Sequence, residues 1–301
     1  MRVTNRSMAS QYLRNLNRQT SKVQKFQDQL SSLKEVSRPS DDPLAVSKII
    51  DLNDSIIQNE NYLDTINDAI DWTNVQDASL GQASNSLANI RILIQSAATD
   101  TMAPEDRQAV KSNILGEMDS FMDSLNTNFG GRYVFSGQNT TTKPFDIDAT
   151  DGLTYTSGNK NNLPREVSPG VTVDLLTDGS KLLDFDGEDG PFKIGTFFNE
   201  VLAVIDANDT EALSGRLLKN ADEAFGNIVD KRADIGAVFN RLESAKGRNE
   251  TENINLYSMR SNKQDIDLAE KFMEYTMEMT AYNASLQMGT RILQTNILNY
   301  L

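Results

Sequence analysis

Two heptad patterns stand at opposite ends of this 301-residue chain, and amphipathic helices so placed can cover their apolar seams by coming together. Near the start, Tyr12, Gln19, Phe26 and Leu33 fall on one heptad position, and Leu16, Val23 and Leu30 on the other. Near the end, Leu268, Phe272, Tyr275, Met279, Tyr282, Leu286, Leu293 and Tyr300 keep the same rhythm, interrupted at Gly289 and Asn296. The first helix is expected to stop before Pro39, because proline disfavours helical geometry at Arg38. Arg14, Arg18, Lys22 and Lys25 form a basic stripe on the face away from its seam. The last helix is expected to run from about Ile254 to Leu301.

The intervening sequence is also mostly helical. Ser40-Asp41-Asp42-Pro43 restarts a helix, with a capping side chain followed by proline in the first turn. From Leu44 to Ala98 there is no proline and one glycine, Gly81, and apolar residues recur from Ile49 through Ile70 and from Leu80 through Ile94. Such a helix spans roughly 80 Å at 1.5 Å per residue. Pro104 opens another, expected to end at Gly130-Gly131. Residues 130–195 then hold 10 of the 17 glycines and 4 of the 7 prolines. Strand-like runs occur there at Arg132–Phe135, Leu153–Thr156, Val171–Leu176 and Lys181–Phe185. After Pro191 the helical pattern returns, first over Phe197–Ile205 and then over Leu213–Leu242.

The fold class is therefore mainly α with a β insert (α+β). It reads as an elongated hairpin of long helices, with terminal coiled-coil helices and a small β-rich outer domain. The boundaries fall at 1–40 and 256–301 for the terminal helices, 41–136 and 190–255 for the long-helix bundle, and 137–189 for the insert.

Chemistry is narrowed as sharply. With neither cysteine nor histidine, the chain has no disulfides, no zinc site of the usual ligands and no Cys–His or Ser–His pair. No pair of carboxylates is spaced for acid–base work, so the expectation is a non-enzyme without cofactor, catalytic residue or metal. The acidic run Leu183–Gly190 fails the calcium-loop pattern, since position six from Asp184 is Asp189 instead of glycine and position twelve is Gly195. A net charge of −14 argues against nucleic acid as a partner. Nothing approaches the ~20 apolar residues of a membrane span, and no apolar signal-peptide core follows Met1. The acidic excess lies in the body: residues 1–27 carry six bases and no acid, and from Met279 onward Arg291 is the one charged residue.

The C-terminal helix is apolar on more than one stripe, because Ile266, Met273, Met277, Met288, Ile292 and Ile297 lie off its heptad. One partner helix cannot cover all of that, and exposed apolar surface of this extent marks an interface. Five of the ten methionines (Met259, Met273, Met277, Met279, Met288) fall in this region, and methionine suits a surface that meets successive partners. The assembly interface is accordingly expected at Tyr12, Leu16, Val23, Phe26 and Leu30, together with Leu268, Phe272, Tyr275, Met279, Tyr282, Leu286, Leu293 and Tyr300. Both ends are expected to be loose in the monomer and to order on assembly.

Three motifs carry a family resemblance. They are Met1-Arg2-Val3-Thr4-Asn5 through Ser37-Arg38-Pro39-Ser40-Asp41-Asp42-Pro43; Phe129-Gly130-Gly131-Arg132-Tyr133-Val134-Phe135-Ser136-Gly137, with Pro144-Phe145 after it; and Arg232-Ala233-Asp234-Ile235-Gly236-Ala237 followed by Asp265-Ile266-Asp267-Leu268-Ala269-Glu270. In this order the chain resembles the flagellin superfamily over 1–145 and 190–301. The Ser40, Asp41, Asp42, Pro43 turn looks like its hook-associated branch; true flagellins usually carry a glycine-containing version. The resemblance implies a structural layer of the extracellular flagellum, placed between a first hook-associated junction protein and flagellin and built from copies of the chain. It also implies type III export without a cleaved signal and a cytoplasmic chaperone on the C-terminal helix. Flagellin itself is the alternative within the family, and a cytoplasmic coiled-coil scaffold the alternative outside it.

Overall fold

The computed structural model describes residues 5–99, 102–148, 152–157, 160–187 and 190–293. Helices α1 (Asn5–Ser32), α2 (Pro43–Ala97) and α3 (Pro104–Leu125) come first. Eight short strands follow, β1 (Asn128–Phe129), β2 (Arg132–Tyr133), β3 (Phe145–Asp148), β4 (Gly152–Tyr155), β5 (Leu163–Ser168), β6 (Val171–Leu175), β7 (Asp184–Gly187) and β8 (Gly190–Lys193), with the one-turn helix α4 (Ser180–Leu183) before β7. Then come α5 (Ile194–Ala207), the turn α6 (Thr210–Ala212), a π-helical turn at Leu213–Leu217, α7 (Leu218–Gln264) and α8 (Leu268–Leu293). The fold is mainly α, with long helices and small antiparallel hairpins.

Local chemistry explains where the elements begin and end. The Asp42 carboxylate accepts from the amides of Leu44 and Ala45, both at 3.0 Å, so it caps α2 with Pro43 behind it. Helix α1 ends at Ser32, earlier than proline alone requires, because Leu33 adopts the left-handed conformation (φ 59°). Leu33, expected on the seam, is exposed there. Helix α3 stops at Leu125, short of the glycines. Gly130 and Gly131 (φ 57° and 81°) instead form the two-residue turn between β1 and β2, where both central residues need positive φ.

Two other expectations are corrected. No helix starts near Ile254: α7 runs unbroken to Gln264, and the break falls at Asp265–Asp267. The run Lys181–Phe185 is not one strand, since α4 takes its first residues and β7 begins at Asp184, after the Asp178 carboxylate has accepted from the Ser180 amide at 3.1 Å. Strands β1, β3, β5 and β8 have no counterpart in the sequence reading, which carried the helix through β1 to Gly130.

The chain divides into two compact units, 1–58 with 252–301, and 59–251. In the 59–251 unit the strands form four separate two-stranded hairpins: β1–β2, β3–β4, β5–β6 and β7–β8. A two-stranded hairpin is marginal alone. These share one hydrophobic core with the helices, in which Ile66, Leu80, Leu87 and Ile90 of α2 meet Phe121, Phe145, Val173, Phe198 and Ile228. Gln76 of α2, 1% exposed, ties the inner edges of the hairpins to the helix. Its amide donates to the carbonyls of Val134 (3.1 Å) and Leu176 (2.9 Å). Arg232, the first residue of the third motif, holds Asp77 with two hydrogen bonds at 3.0 and 3.3 Å and so links α7 to α2. Farther along, Asn59 and Asn249 bond reciprocally, each side-chain amide donating to the other's backbone carbonyl.

Gln76→Leu leaves the buried Val134 carbonyl and the partly buried Leu176 carbonyl without this donor. It is expected to destabilise this unit by about 2 kcal/mol or more. Urea unfolding followed through buried Trp72, the one tryptophan, measures this as a lower midpoint at unchanged slope.

Candidate assembly interface

The unit 1–58 with 252–301 is built around the pairing of α1 with α8. Along α1 the least exposed side chains are Tyr12, Leu16, Gln19, Val23, Phe26, Gln29 and Leu30, so the N-terminal heptad is the seam. Along α8 they are Lys271, Tyr275, Glu278, Tyr282, Ser285 and Gly289, again at spacings of four and three, with half-buried Glu274 beside Tyr275. This row shares Tyr275 and Tyr282 with the expected heptad. At the other positions it is shifted by one residue: Lys271 replaces Phe272, Glu278 replaces Met279 and Ser285 replaces Leu286.

Specific contacts produce the shift. Gly289, read in sequence as a break in the rhythm, is the seat of Tyr12: a Cβ there would fall inside the phenol group. The Tyr12 hydroxyl donates to the Ser285 carbonyl at 3.1 Å. Lys22 does not join a basic stripe facing away, for its ammonium lies 3.8 Å from Glu278. Lys271 is the hub at the other end of the seam. Its ammonium is 3.1 Å from Glu35 and 2.9 Å from Glu274, and it sits 5.6 Å from the centre of the Phe26 ring. Burial pulls the Lys271 pKa down, but the two carboxylates outweigh it, and the net shift is upward. The triad's contribution is thus complete below the ordinary lysine pKa and is lost only as pH rises through the higher folded value.

The break between α7 and α8 is equally specific. The Glu35 amide donates to the Gln264 carbonyl at 2.7 Å and the Ile266 amide to the Leu33 carbonyl at 3.3 Å, around an antiparallel bridge of Lys34 with Asp265. The Asp267 carboxylate then caps α8 by accepting from Ala269 (2.9 Å) and Glu270 (3.2 Å). Asp267-x-x-Glu270 is a capping-box spacing, a start signal present in the sequence but hidden by the apolar rhythm around it.

What the seam leaves uncovered is the more telling feature. Leu268, Phe272, Met273, Met277, Met279, Leu286 and Met288 are all exposed on α8, Met277 at 67%. Sixteen of the twenty-two exposed large apolar side chains among the described residues belong to this unit, against two of the buried ones, Ile49 and Ile56. Of the residues expected at the interface, Tyr12, Leu16, Val23, Phe26, Leu30, Tyr275 and Tyr282 therefore lie in the seam, while Leu268, Phe272, Met279 and Leu286 face outward. Tyr300 and the Leu293 side chain lie outside the described residues. Ser40, Asp41, Asp42 and Pro43 are exposed, and Asp41 accepts from the Arg38 amide at 3.3 Å. The residues that sequence reasoning missed are Lys271, Gly289 and Asp267. Among the described residues no three carboxylates gather as a metal site, and no helix is long and apolar enough to cross a membrane.

Comparison with known proteins agrees with this anatomy. The bacterial flagellin N-terminal helical region matches residues 3–140, and the bacterial flagellin C-terminal helical region matches residues 218–301. Flagellar hook-associated protein 3 of Escherichia coli is 24% identical over 304 aligned positions, which cover 95% of both chains. Flagellin of Bacillus subtilis is 24% identical over 95% of this chain and 94% of its own. The crystal structure of flagellar hook-associated protein 3 from Legionella pneumophila shares the fold, with a TM-score of 0.63 at 14% identity over 70% of this chain and 97% of that one.

Gly289→Val places a branched side chain where Tyr12 lies. The seam is expected to loosen by about 1–3 kcal/mol, as overpacking does. Amide exchange across 7–30 and 268–290 should then quicken by about tenfold, with 59–251 unchanged; equal rates would remove Gly289 as the seat of Tyr12.

Proposed function

The chain belongs to the bacterial flagellin family, and on that premise we propose that it is a structural component of the flagellum of the hook-associated protein 3 kind. It would form the adaptor layer between a first hook-associated junction protein and the flagellin filament. The observation that carries this reading is the terminal unit, which exposes most of its large apolar side chains and buries few. An assembly subunit needs such surface, because neighbouring copies and partner proteins complete the burial that one chain leaves unfinished.

In this reading the helices of 1–40 and 256–301 line the inner tube. The long-helix segments are 41–136 and 190–255, and the insert 137–189 faces outward. The exposed residues Leu268, Phe272, Met279 and Leu286 make the contacts to neighbours, while Tyr12, Leu16, Val23, Phe26 and Leu30 hold α1 against α8. Before assembly the same methionine-rich face of α8 is what a cytoplasmic chaperone would cover, ahead of export through the flagellar type III apparatus. The match to Bacillus subtilis flagellin supports a second reading, the filament's bulk subunit. The Arg38-Pro39-Ser40-Asp41-Asp42-Pro43 turn, with proline at both ends and no glycine, favours the junction role.

Salting out the purified protein separates the two, with light scattering and electron microscopy as readouts. The junction role predicts no long filaments from this chain alone, but binding to filament ends or to flagellin when these are supplied. Long filaments from this chain by itself would make it a flagellin.

A further inference from the structure

Two charged stripes in the 59–251 unit have no hydrogen-bonding or ion-pairing partner among the described residues. Asp64, Asp68 and Asp71 stand at spacings of four and three on the outer face of α2, opposite the buried Ile66, Ala69 and Ile70. All three are exposed and make no hydrogen bond or ion pair with any described residue. Like charges at these spacings repel along a helix, so the isolated chain gains nothing from them. On α7, Arg241 and Arg248 are exposed and equally unpaired. Four other arginines of the unit are engaged: Arg91 with Asp222, Arg216 with Glu200, Arg232 with Asp77, and buried Arg107 with the carbonyls of Ala97 and Thr99. Arg132 and Arg165, which make no such bond with any described residue, lie on β2 and β5 instead of α7. Arg241 and Arg248 border an open groove of about 300 Å³ between α7 and the β5–β6 hairpin, floored by Val167, Val173 and Ala245.

We infer that this groove receives the acidic face of α2 from a second copy of the chain, so that neighbouring subunits dock side by side through these stripes. The inference rests on the reading that the chain assembles with copies of itself. Charge complementarity selects the occupant, and the spacing agrees with it. Asp64 to Asp71 and Arg241 to Arg248 are each seven residues, about 10.5 Å of helix. Both stripes also lie between the same two cross-links of antiparallel α2 and α7, Asn59 with Asn249 and Asp77 with Arg232. A neighbour displaced sideways with a small axial shift thus brings carboxylates opposite guanidinium groups. The contact is heterologous, one surface meeting a different one, which is the geometry that propagates around a ring or along a helix. In a chain of net charge −14, a wrong register would set acid against acid, so the stripes confer specificity on the packing as well as attraction.

Charge reversal tests this in the full-length protein, added to flagellin filament ends as above. Arg241→Glu with Arg248→Glu, and separately Asp64→Lys with Asp71→Lys, are each expected to cut incorporation at least about tenfold. Neither pair should change the melting of the monomer appreciably, since these exposed side chains make no hydrogen bond or ion pair with any described residue. All four changes together restore attraction with the signs exchanged, and incorporation should recover. Reversed pairs that assemble like the parent, or a fourfold variant no better than either pair, would overturn the inference. A parent chain that joins no assembly counts against the proposed function instead. The cysteine-free background gives a second readout: Asp68→Cys and Ser244→Cys chains, mixed, assembled and oxidised, should give mixed disulfide dimers. Like-with-like dimers alone, or none, would contradict the contact.

Discussion

A pair of helices has one seam to bury, and the rest of its circumference faces water. That constraint governs the terminal unit. Its seam uses Tyr12, Leu16, Val23, Phe26 and Leu30 on one side, and on the other a row holding a lysine, a glutamate, a serine and a glycine beside two tyrosines. Half-buried side chains recover only part of the ~1.5–3 kcal/mol that full burial of a large apolar group supplies. Ordering more than fifty helical residues costs backbone and side-chain entropy at every position. Phe272, Met273, Met277 and Leu286 hold the missing apolar surface, and they point away from the seam. The helix pair is specified within one chain, by Tyr12 on Gly289 and by Lys271 between Glu35 and Glu274, but its outward apolar side chains stay exposed.

The 59–251 unit is built on the opposite principle. Its core is continuous from α2 through the hairpins to α7, so the strands draw their stability from the helices they pack on. Several polar groups inside it are matched, although Trp72 Nε1 and Thr177 Oγ1 are buried without a partner among the described residues. Gln76 serves the carbonyls of Val134 and Leu176 just past β2 and β6, Arg107 closes the C-terminal end of α2, and Asn59 and Asn249 answer each other. Buried groups satisfied in this way fix one register, because any slip leaves them without partners. The 59–251 unit thus carries its own core, while the terminal unit keeps most of its large apolar side chains exposed, which is the division of labour that the proposed assembly role calls for.

Much of this was legible in the amino-acid sequence, and what was not has identifiable physical causes. Helix α2 was readable because its apolar spacing persists for fifteen turns between Pro43 and Ala97. The seam of α1 was readable because apolar residues occupy it. The seam of α8 was not, because charge and close approach chose it: Lys271 and Glu278 find partners across the interface, and Gly289 admits a phenol that no pattern of hydrophobicity encodes. The break at Asp265–Asp267 carried a capping-box spacing, yet Ile266 and Leu268 continued the apolar rhythm through it. Strand β1 was read as the end of α3, and strands β3, β5 and β8 were missed because they are short, with proline inside β5 and β8, and are held by a core assembled from distant segments.

Hydrogen exchange on the isolated chain, compared with the same chain incorporated at filament ends, tests the central claim most directly. The account predicts that amides across 5–58 and 252–293 exchange far faster than those of 59–251 in the monomer, and become protected on assembly. Strong protection of both terminal helices in the monomer would contradict it.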